Sequence, residues 1–157
     1  AALLSSVESS VIVALIERLQ PRKVFEFGTY LGGGTQLFAK VKGVEVFTLD
    51  NERRVDLSSV SNIRQLLGDS LTFDFSPFQG QMDFIFVDGG HAYPVVKSDT
   101  ENALRLLKPG GMIVWHDYSP EFPGVKTYLE ELATKNKLLR VEATTLAILQ
   151  PSNSPLT

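Results

Sequence analysis

Cysteine is absent from the 157-residue sequence, which excludes disulfide bonds and zinc sites built from thiolates and fits a cytoplasmic location. The sequence also lacks an apolar run near the ~20 residues that a membrane-spanning helix needs, and it lacks a basic segment followed by an apolar one near its start. Lysine and arginine form no cluster, and the net charge is -3. We therefore expect a cytoplasmic protein that binds neither a membrane nor nucleic acid.

The composition that remains is that of a folded α/β protein. Hydrophobic residues make up 43% of the sequence and charged residues 21%, which favours one globular domain over residues 1–157. Strand-like and helix-like patterns alternate, which is typical of a doubly wound, mostly parallel sheet. The predicted helices cover residues 5–19, 35–40, 93–107 and 125–138, and the predicted strands cover residues 24–27, 44–49, 63–67, 84–87 and 112–115. We also predict a final antiparallel strand or hairpin over residues 139–141 and 146–149, and a frayed tail over residues 151–155.

A glycine-rich loop joins the first predicted strand to the next helix. It carries the pattern E-x-G-x-x-x-G-x-G, whose named positions are Glu26, Gly28, Gly32 and Gly34. Glycines let the backbone approach a ligand where a Cβ atom would clash, and the helix N-terminus offers free N–H donors. Tyr30 breaks the G-x-G-x-x-G pattern that binds dinucleotides, which disfavours an NAD-dependent oxidoreductase. The pattern that is present is found in enzymes that use S-adenosylmethionine (SAM).

Chemically active side chains recur where the predicted strands end. They are Glu26, Asp50, Asp69, Asp88, His116 and Asp117. Because the carboxyl ends of parallel strands lie along one edge of a sheet, where ligands bind, we expect these side chains to share a site. Asp50 stands about 22 positions after Gly28, a spacing typical of an acid that accepts hydrogen bonds from ribose hydroxyls. A solvated acid at the start of a loop is the alternative interpretation of Asp50.

A second set of motifs follows the fourth predicted strand. The sequence reads Asp88-Gly89-Gly90-His91-Ala92-Tyr93, then Asp99, then Leu107-Lys108-Pro109-Gly110-Gly111, then His116-Asp117-Tyr118. Over nearly its whole length the chain resembles class I SAM-dependent methyltransferases, and in particular a small-molecule group with the motifs D-G-x-H-x-Y, L-x-P-G-G and H-D-Y. Two positions depart from that group, because Gly90 is often acidic there and Pro94 replaces the usual Glu. The resemblance implies the Rossmann-like fold of these enzymes.

The resemblance also implies a site for each part of SAM. Glu26 and the backbone around Gly28 would hold the amino-acid end, Asp50 the ribose, and Asp69 with Ser70 the adenine. The other residues that it places around the cofactor are Thr29, Tyr30, Gly32, Gly34, Thr35 and Asp88. For Asp69, a structural turn after Gly68 is the alternative interpretation.

A metal site is a further implication of the resemblance. A related branch, the catechol-type O-methyltransferases, holds Mg²⁺ with two acids and an amide at equivalent strand ends, which correspond here to Asp88, His116 and Asp117. Two carboxylates suit a hard divalent cation, while the softer imidazole of His116 leaves Mn²⁺, Fe²⁺ and Zn²⁺ open. In the alternative interpretation, Asp88 and Asp117 bind SAM and the substrate directly, without a metal.

His91 is the candidate general base, because it follows Asp88 beside the expected position of the transferred methyl group. An imidazole can take a proton from a hydroxyl near neutral pH. A structural histidine bonded to the loop backbone is the alternative. The predicted activity is thus SAM-dependent methyl transfer to a small-molecule acceptor, at a hydroxyl oxygen, with His91 as base and either with or without a divalent cation.

Two other functions stay open from the sequence alone. The chain could be a SAM-binding or S-adenosylhomocysteine (SAH)-binding module without catalysis. Nucleic-acid methylation is disfavoured, because the N/D-P-P-Y/F motif of amino-methylating DNA enzymes is absent. The sequence has no large insertion that would form a lid, so we expect a second copy of the chain, or residues upstream of Ala1, to close the site.

Overall fold

A seven-stranded sheet with helices on both faces forms the framework of the protein. The structure is a computed structural model that describes residues 3–151. The helices are α1 (Ser6–Leu19), α2 (Gly33–Ala39), α3 (Tyr93–Leu106) and α4 (Pro123–Ala133), with a short 3₁₀ turn at Ser76–Phe78. The strands are β1 (Lys23–Phe27), β2 (Glu45–Asp50), β3 (Ile63–Leu67), β4 (Met82–Val87), β5 (Leu107–Trp115), β6 (Leu139–Arg140) and β7 (Ala147–Leu149).

The strand order in the sheet is β3-β2-β1-β4-β5-β7-β6. Strands β1 to β5 pair with one another in parallel. Strand β7 pairs antiparallel with both β5 and β6. This confirms the predicted doubly wound, mostly parallel sheet with an antiparallel hairpin at its C-terminal end. The order reverses between β1 and β4, and ligands bind in the crevice at such a reversal.

Alternate side chains of the central strands supply two separate cores. On one face, Phe25 and Ile85 pack with residues of α3 and α4, and on the other face Val24 and Phe84 pack with residues of α1 and α2. Each aromatic side chain of this size stabilises the fold by about 1.5–3 kcal/mol when it is fully buried. Helices on both faces explain why apolar residues occupy consecutive positions in β1 and β4, since neither face of these strands meets water.

The only tryptophan, Trp115, ends β5 and has no exposed surface. Its indole Nε1–H donates to Oγ1 of Thr100 on α3 at 2.9 Å, which satisfies its one polar group inside the core. Trp115 therefore fixes α3 against the strand that leads directly to His116.

The two largest errors in the predicted boundaries are at the start of β5 and the end of α4. Strand β5 begins at Leu107 rather than at residue 112, because the Pro109-Gly110-Gly111 segment forms a bulge against β4 instead of a loop. Gly110 supplies the left-handed backbone, with a φ of +83°, that the bulge requires. Helix α3 accordingly ends one residue earlier than predicted.

Helix α4 ends at Ala133 rather than at residue 138. Thr134 Oγ1 donates to the Glu131 carbonyl, and Asn136 Nδ2 donates to the Leu132 carbonyl. Such side-chain bonds compete with the helical backbone pattern and end the helix. Beyond Pro151, the predicted frayed tail lies outside the described residues. No helix within residues 3–151 has both the length and the apolar character that crossing a bilayer requires.

Candidate functional site

The glycine loop lies at the carboxyl end of β1, and two of its glycines are required by packing within the protein itself. Gly28 has a φ of +95°, and a Cβ atom there would lie 2.1 Å from the backbone oxygen of Asp88. A Cβ atom on Gly34 would lie 2.6 Å from Oε2 of Glu26. Gly32, with a φ of +82°, is the N-cap of α2. The loop therefore brings β1 and α2 against the end of β4 more closely than larger residues would allow.

Glu26 is buried beneath this loop. Its Oε1 accepts hydrogen bonds from the hydroxyls of Thr35 and Thr48, and Thr48 bonds in turn to Thr29 at 2.7 Å. Burial raises the pKa of Glu26 to about 8, even though both threonine bonds oppose the shift. Glu26 is thus largely protonated at neutral pH. The contact of Thr48 with Glu26 was not predicted, because its only signal in the sequence is a polar residue inside an apolar strand.

A cavity of about 420 Å³ opens between the ends of β1, β2 and β4. Asp50, Asp69 and Ser70, which were predicted to bind the nucleoside, all line it. Oδ2 of Asp50 accepts the backbone N–H of Tyr30 at 2.9 Å, which ties the end of β2 to the glycine loop. The structure therefore brings the predicted ribose and adenine residues around one cavity.

Asp99 of α3 also lines this cavity, a position to which the sequence motifs gave no role. Its side chain is buried, and its Oδ1 has no hydrogen-bond partner among the described residues. Burial raises the pKa of Asp99 to about 6, although a hydrogen bond from Ser70 opposes the shift. Asp99 thus adds an acidic group with unused hydrogen-bonding capacity to the cavity wall.

A second cavity of about 260 Å³ lies between the glycine loop and the start of α1. Apolar residues and Glu26 line much of it, and among the apolar ones are Leu3, Leu4, Leu31 and Phe86. It shares Gly28, Tyr30 and Asp88 with the larger cavity. The two cavities therefore adjoin at the carboxyl ends of β1 and β4.

Asp88, His116 and Asp117 converge at this same edge of the sheet. Nδ1 of His116 lies 3.2 Å from Oδ1 of Asp88 and 3.3 Å from Oδ1 of Asp117. One ligand atom from each of the three residues lies within 4.8 Å of the others. His116 and Asp117 are buried, and Asp117 holds a left-handed backbone with a φ of +63°. The three side chains therefore converge, as the sequence predicted.

The charges in this cluster compensate one another. Burial raises the pKa of Asp88 to about 6, against the opposing effect of His116. Burial would lower the pKa of His116, but its hydrogen bond and charge interaction with Asp88, together with Asp117 and Glu8, raise it to about 9. At neutral pH the imidazole is therefore protonated and balances the carboxylates.

The same three residues fit a divalent cation. Neighbouring ligands of a cation with bonds of about 2.0–2.4 Å lie roughly 3 Å apart, and Nδ1 of His116 lies at about this distance from one oxygen of each carboxylate. The other ring nitrogen of His116, Nε2, lies 3.0 Å from Oε2 of Glu8. A carboxylate on the second nitrogen is the usual partner of a metal-binding histidine. A cation would have to replace the proton on Nδ1.

His91 lies next to this cluster. Its Nε2 is 2.7 Å from Oδ2 of Asp117, its ring stacks on Phe122 with centroids 4.1 Å apart, and 29% of its side chain is exposed. When Asp117 accepts the Nε2 proton, Nδ1 keeps its lone pair and is the basic atom. The ring partner of His91 is thus a buried carboxylate rather than the loop backbone of the alternative interpretation.

Solved structures with the same fold include several O-methyltransferases. A candidate caffeoyl-CoA O-methyltransferase from Staphylococcus aureus has a TM-score of 0.78 at 18% identity, over 96% of this chain and 86% of that one. TomG from Streptomyces achromogenes, an O-methyltransferase of tomaymycin synthesis solved with SAM, has a TM-score of 0.73 at 19% identity over 96% and 82%. An O-methyltransferase from Bacillus cereus, solved with SAH, has a TM-score of 0.73 at 18% identity over 96% and 84%. At these identities the likeness shows the fold.

Among curated protein sequences, none matches this chain significantly. A family model described as a methyltransferase domain matches residues 25–118, which run from β1 to just beyond the His116-Asp117 pair. The match spans the glycine loop, the ends of β2 and β4 that border the cavities, and the cluster of Asp88, His116 and Asp117 (the acidic cluster). The chain therefore belongs to this methyltransferase domain family.

Proposed function

We propose that the protein transfers the methyl group of SAM to a hydroxyl oxygen of a small molecule. Its family and the SAM and SAH complexes of TomG and the Bacillus cereus enzyme support methyl transfer to oxygen. The observation that carries the proposal is the 2.7 Å contact between His91 and Asp117, because a carboxylate on one ring nitrogen supports a role as base for His91, near Asp88, which borders both cavities.

The two cavities suit the two ends of the cofactor. In the larger one, Asp50 would accept hydrogen bonds from the ribose, and Asp69 and Ser70 would contact the adenine. In the smaller one, Glu26 and the backbone at Gly28 would hold the amino-acid end. When bound, SAM supplies a methyl group that its sulfonium has already activated.

Because the donor is activated, the protein has to align the acceptor and remove a proton. His91 removes the proton, since Asp117 holds its Nε2–H and leaves Nδ1 free to accept the hydrogen of the hydroxyl. The buried carboxylate of Asp117 then stabilises the imidazolium that forms, as the acid of a catalytic triad does. The exposed part of the His91 ring leaves it accessible to an acceptor.

Asp88, His116 and Asp117 would hold a divalent cation at this edge. A bound cation lowers the pKa of a hydroxyl that it contacts and so eases the removal of the proton. The mixed set of two carboxylates and one imidazole accepts Mg²⁺, Mn²⁺, Fe²⁺ or Zn²⁺.

The proposal is tested by SAH formation from SAM with a panel of small phenols, sugars and alcohols. We expect turnover with a hydroxyl acceptor, and a 10²–10⁴-fold lower rate (roughly the usual contribution of an acid–base group) in His91→Ala. SAH affinity, measured by calorimetry, should stay the same in that variant, and Lys97→Ala on the exposed face of α3 serves as the control. SAH binding without turnover of any acceptor would instead favour a binding module, and an unchanged rate in His91→Ala would exclude His91 as the base.

A further inference from the structure

Glu8, in the first turn of α1, is buried although it is an acid near the start of a helix. Its Oε1 accepts the backbone N–H and the hydroxyl of Thr145, both at 2.9 Å. Its Oε2 accepts the backbone N–H of Ser5 at 2.9 Å and faces Nε2 of His116 at 3.0 Å. Glu8 thus joins the beginning of the chain to residues 108 and 137 positions further on.

The helix cap accounts for only part of this arrangement. Ser5 and Glu8 form a capping box, in which the Ser5 hydroxyl accepts the Glu8 backbone N–H at 3.1 Å. A capping box needs no contact beyond the first turn of its own helix, and burying a carboxylate costs free energy unless it is well bonded. The contacts to His116 and Thr145 therefore need a reason other than the cap.

The contact to His116 determines which ring nitrogen faces the site. A carboxylate can only accept, so Nε2 must carry the hydrogen of the bond to Glu8. Nδ1 is then directed to the carboxylates of Asp88 and Asp117, which it approaches at 3.2 and 3.3 Å. With Nε2 fixed by Glu8, the ring cannot rotate without losing a buried hydrogen bond.

We propose that Glu8 is a positioning residue of the site: it holds the His116 ring so that Nδ1 meets Asp88 and Asp117. The inference deepens the proposed function, because it names what orients one member of the cluster. It also makes the first turn of α1 a functional part of the site, in addition to its place beside the smaller cavity. A purely structural Glu8 would act only as a helix cap.

Ser5→Ala separates these two roles. It removes the capping hydroxyl and leaves the carboxylate of Glu8 in contact with His116. Glu8→Gln keeps the shape of the side chain but removes the negative charge opposite Nε2, and its NH2 group must face one of the N–H groups that the carboxylate accepts. If Glu8 only caps the helix, the two variants should behave alike.

Ring spectra of the full chain labelled with ¹⁵N-histidine test the proposal directly, because the chain has two histidines and His91→Ala identifies the signals of His116. An imidazolium carries a proton on Nε2 whatever that atom contacts, so the informative signal is whether the Nε2 proton is hydrogen-bonded. We expect this proton to exchange slowly with water in the wild type and in Ser5→Ala, and to exchange faster, with a changed chemical shift, in Glu8→Gln. A wild-type Nε2 without a proton, or with one that exchanges freely, would overturn the proposal, as would ring signals that do not change in Glu8→Gln. The wild-type measurement can therefore overturn the proposal even if Glu8→Gln fails to fold.

Binding of Mn²⁺ and turnover give a second readout. Loss of the partner of a metal-binding histidine lowers metal affinity about 10–100-fold, so Glu8→Gln should bind Mn²⁺ that much more weakly than Ser5→Ala does. The kcat should fall in Glu8→Gln, while SAH affinity and the KM for SAM stay unchanged. Equal Mn²⁺ affinity and equal kcat in the two variants would contradict the proposal. If the wild type binds no Mn²⁺ or methylates no acceptor, the proposed function fails, and the ring spectra still decide the role of Glu8.

Discussion

The buried acids include Glu8, Glu26 and Asp99, whose pKa values differ because their hydrogen-bond donors differ. Burial alone would raise the pKa of Glu8, but backbone N–H donors from Ser5 and Thr145, with His116, lower it to about 2. Glu26 meets only hydroxyl donors, so burial dominates and its pKa rises to about 8. Asp99, for which Ser70 is the one group that opposes burial, shifts to about 6. The type and number of donors, together with the depth of burial, decide which of these acids is charged.

The raised pKa of Glu26 predicts a specific dependence of stability on pH. Between its ordinary value of 4.5 and about 8, the folded protein keeps a proton that the unfolded chain has lost. The contribution of Glu26 to the free energy of unfolding is therefore fully present below pH 4.5 and falls by about 1.4 kcal/mol per pH unit until about pH 8. Glu26→Gln should remove this part of the fall. Urea unfolding at several pH values checks it, with Glu17→Gln as an exposed control; parallel pH curves for Glu26→Gln and the wild type would refute the assignment.

Asp50 should contribute directly to binding of the cofactor. Asp50→Ala removes a charged acceptor for the ribose hydroxyls, and we expect SAH affinity to fall by about 1–3 kcal/mol in calorimetry. Glu52→Ala removes a neighbouring exposed acid and should leave the affinity unchanged. An SAH affinity equal to that of the wild type in Asp50→Ala would show that the ribose lies elsewhere.

At the scale of elements, the glycine loop allows close packing between strands and helix, in addition to its proposed role in binding the cofactor. Gly28 and Gly34 let β1, β4 and α2 meet closely, whereas Gly33 has no atom within 4 Å of the position of a Cβ atom. Glycines that look alike in the sequence therefore differ in what they do.

This difference predicts opposite effects of two neighbouring substitutions. Gly28→Ala must move the backbone at Asp88 and adopt a left-handed conformation, so we expect a loss of at least about 2 kcal/mol in the free energy of unfolding. Gly33→Ala is the matched control: it lies in the first turn of α2, and alanine there should be neutral or stabilising by up to about 1 kcal/mol. A Gly28→Ala variant as stable as the wild type would mean that the clash at Gly28 is relieved at no cost.

The elements themselves could be predicted because their signals are local. Apolar runs located the five parallel strands to within a few residues, and strand ends identified the acids that now line the cavities. Local pattern could not place the β5 bulge, because Pro109 and Gly110 usually end an element. It also could not reveal Glu8, since an acid in a first helical turn is explained by the cap, and its partner Thr145 is 137 residues away.

At the scale of the whole molecule, the cofactor would bridge parts of the chain that are distant in sequence. The larger cavity is lined by the ends of β1, β2 and β4 and by Asp99 of α3. A ligand there contacts the ends of several strands and α3, so its binding should stabilise the entire fold rather than one loop.

Thermal unfolding should reveal this coupling. At an SAH concentration of 100 times Kd, stabilisation is about 2.7 kcal/mol, which corresponds to a rise in Tm of about 5–10 °C for a chain of this size. NAD at the same concentration should not raise the Tm, because Tyr30 interrupts the dinucleotide pattern. A rise with NAD and none with SAH would reverse the choice of cofactor.

Trp115 gives the protein an optical reporter that needs no label. As the single tryptophan, fully buried and bonded to Thr100, it should emit at short wavelength in the folded state and shift to the red when the core opens. Its indole directly precedes His116 in the chain, and Asp99 directly precedes its partner Thr100, so the fluorophore lies between the acidic cluster and the larger cavity. Quenching or a spectral shift on addition of SAH or Mn²⁺ would then follow occupancy of the site in real time, in the unmodified chain.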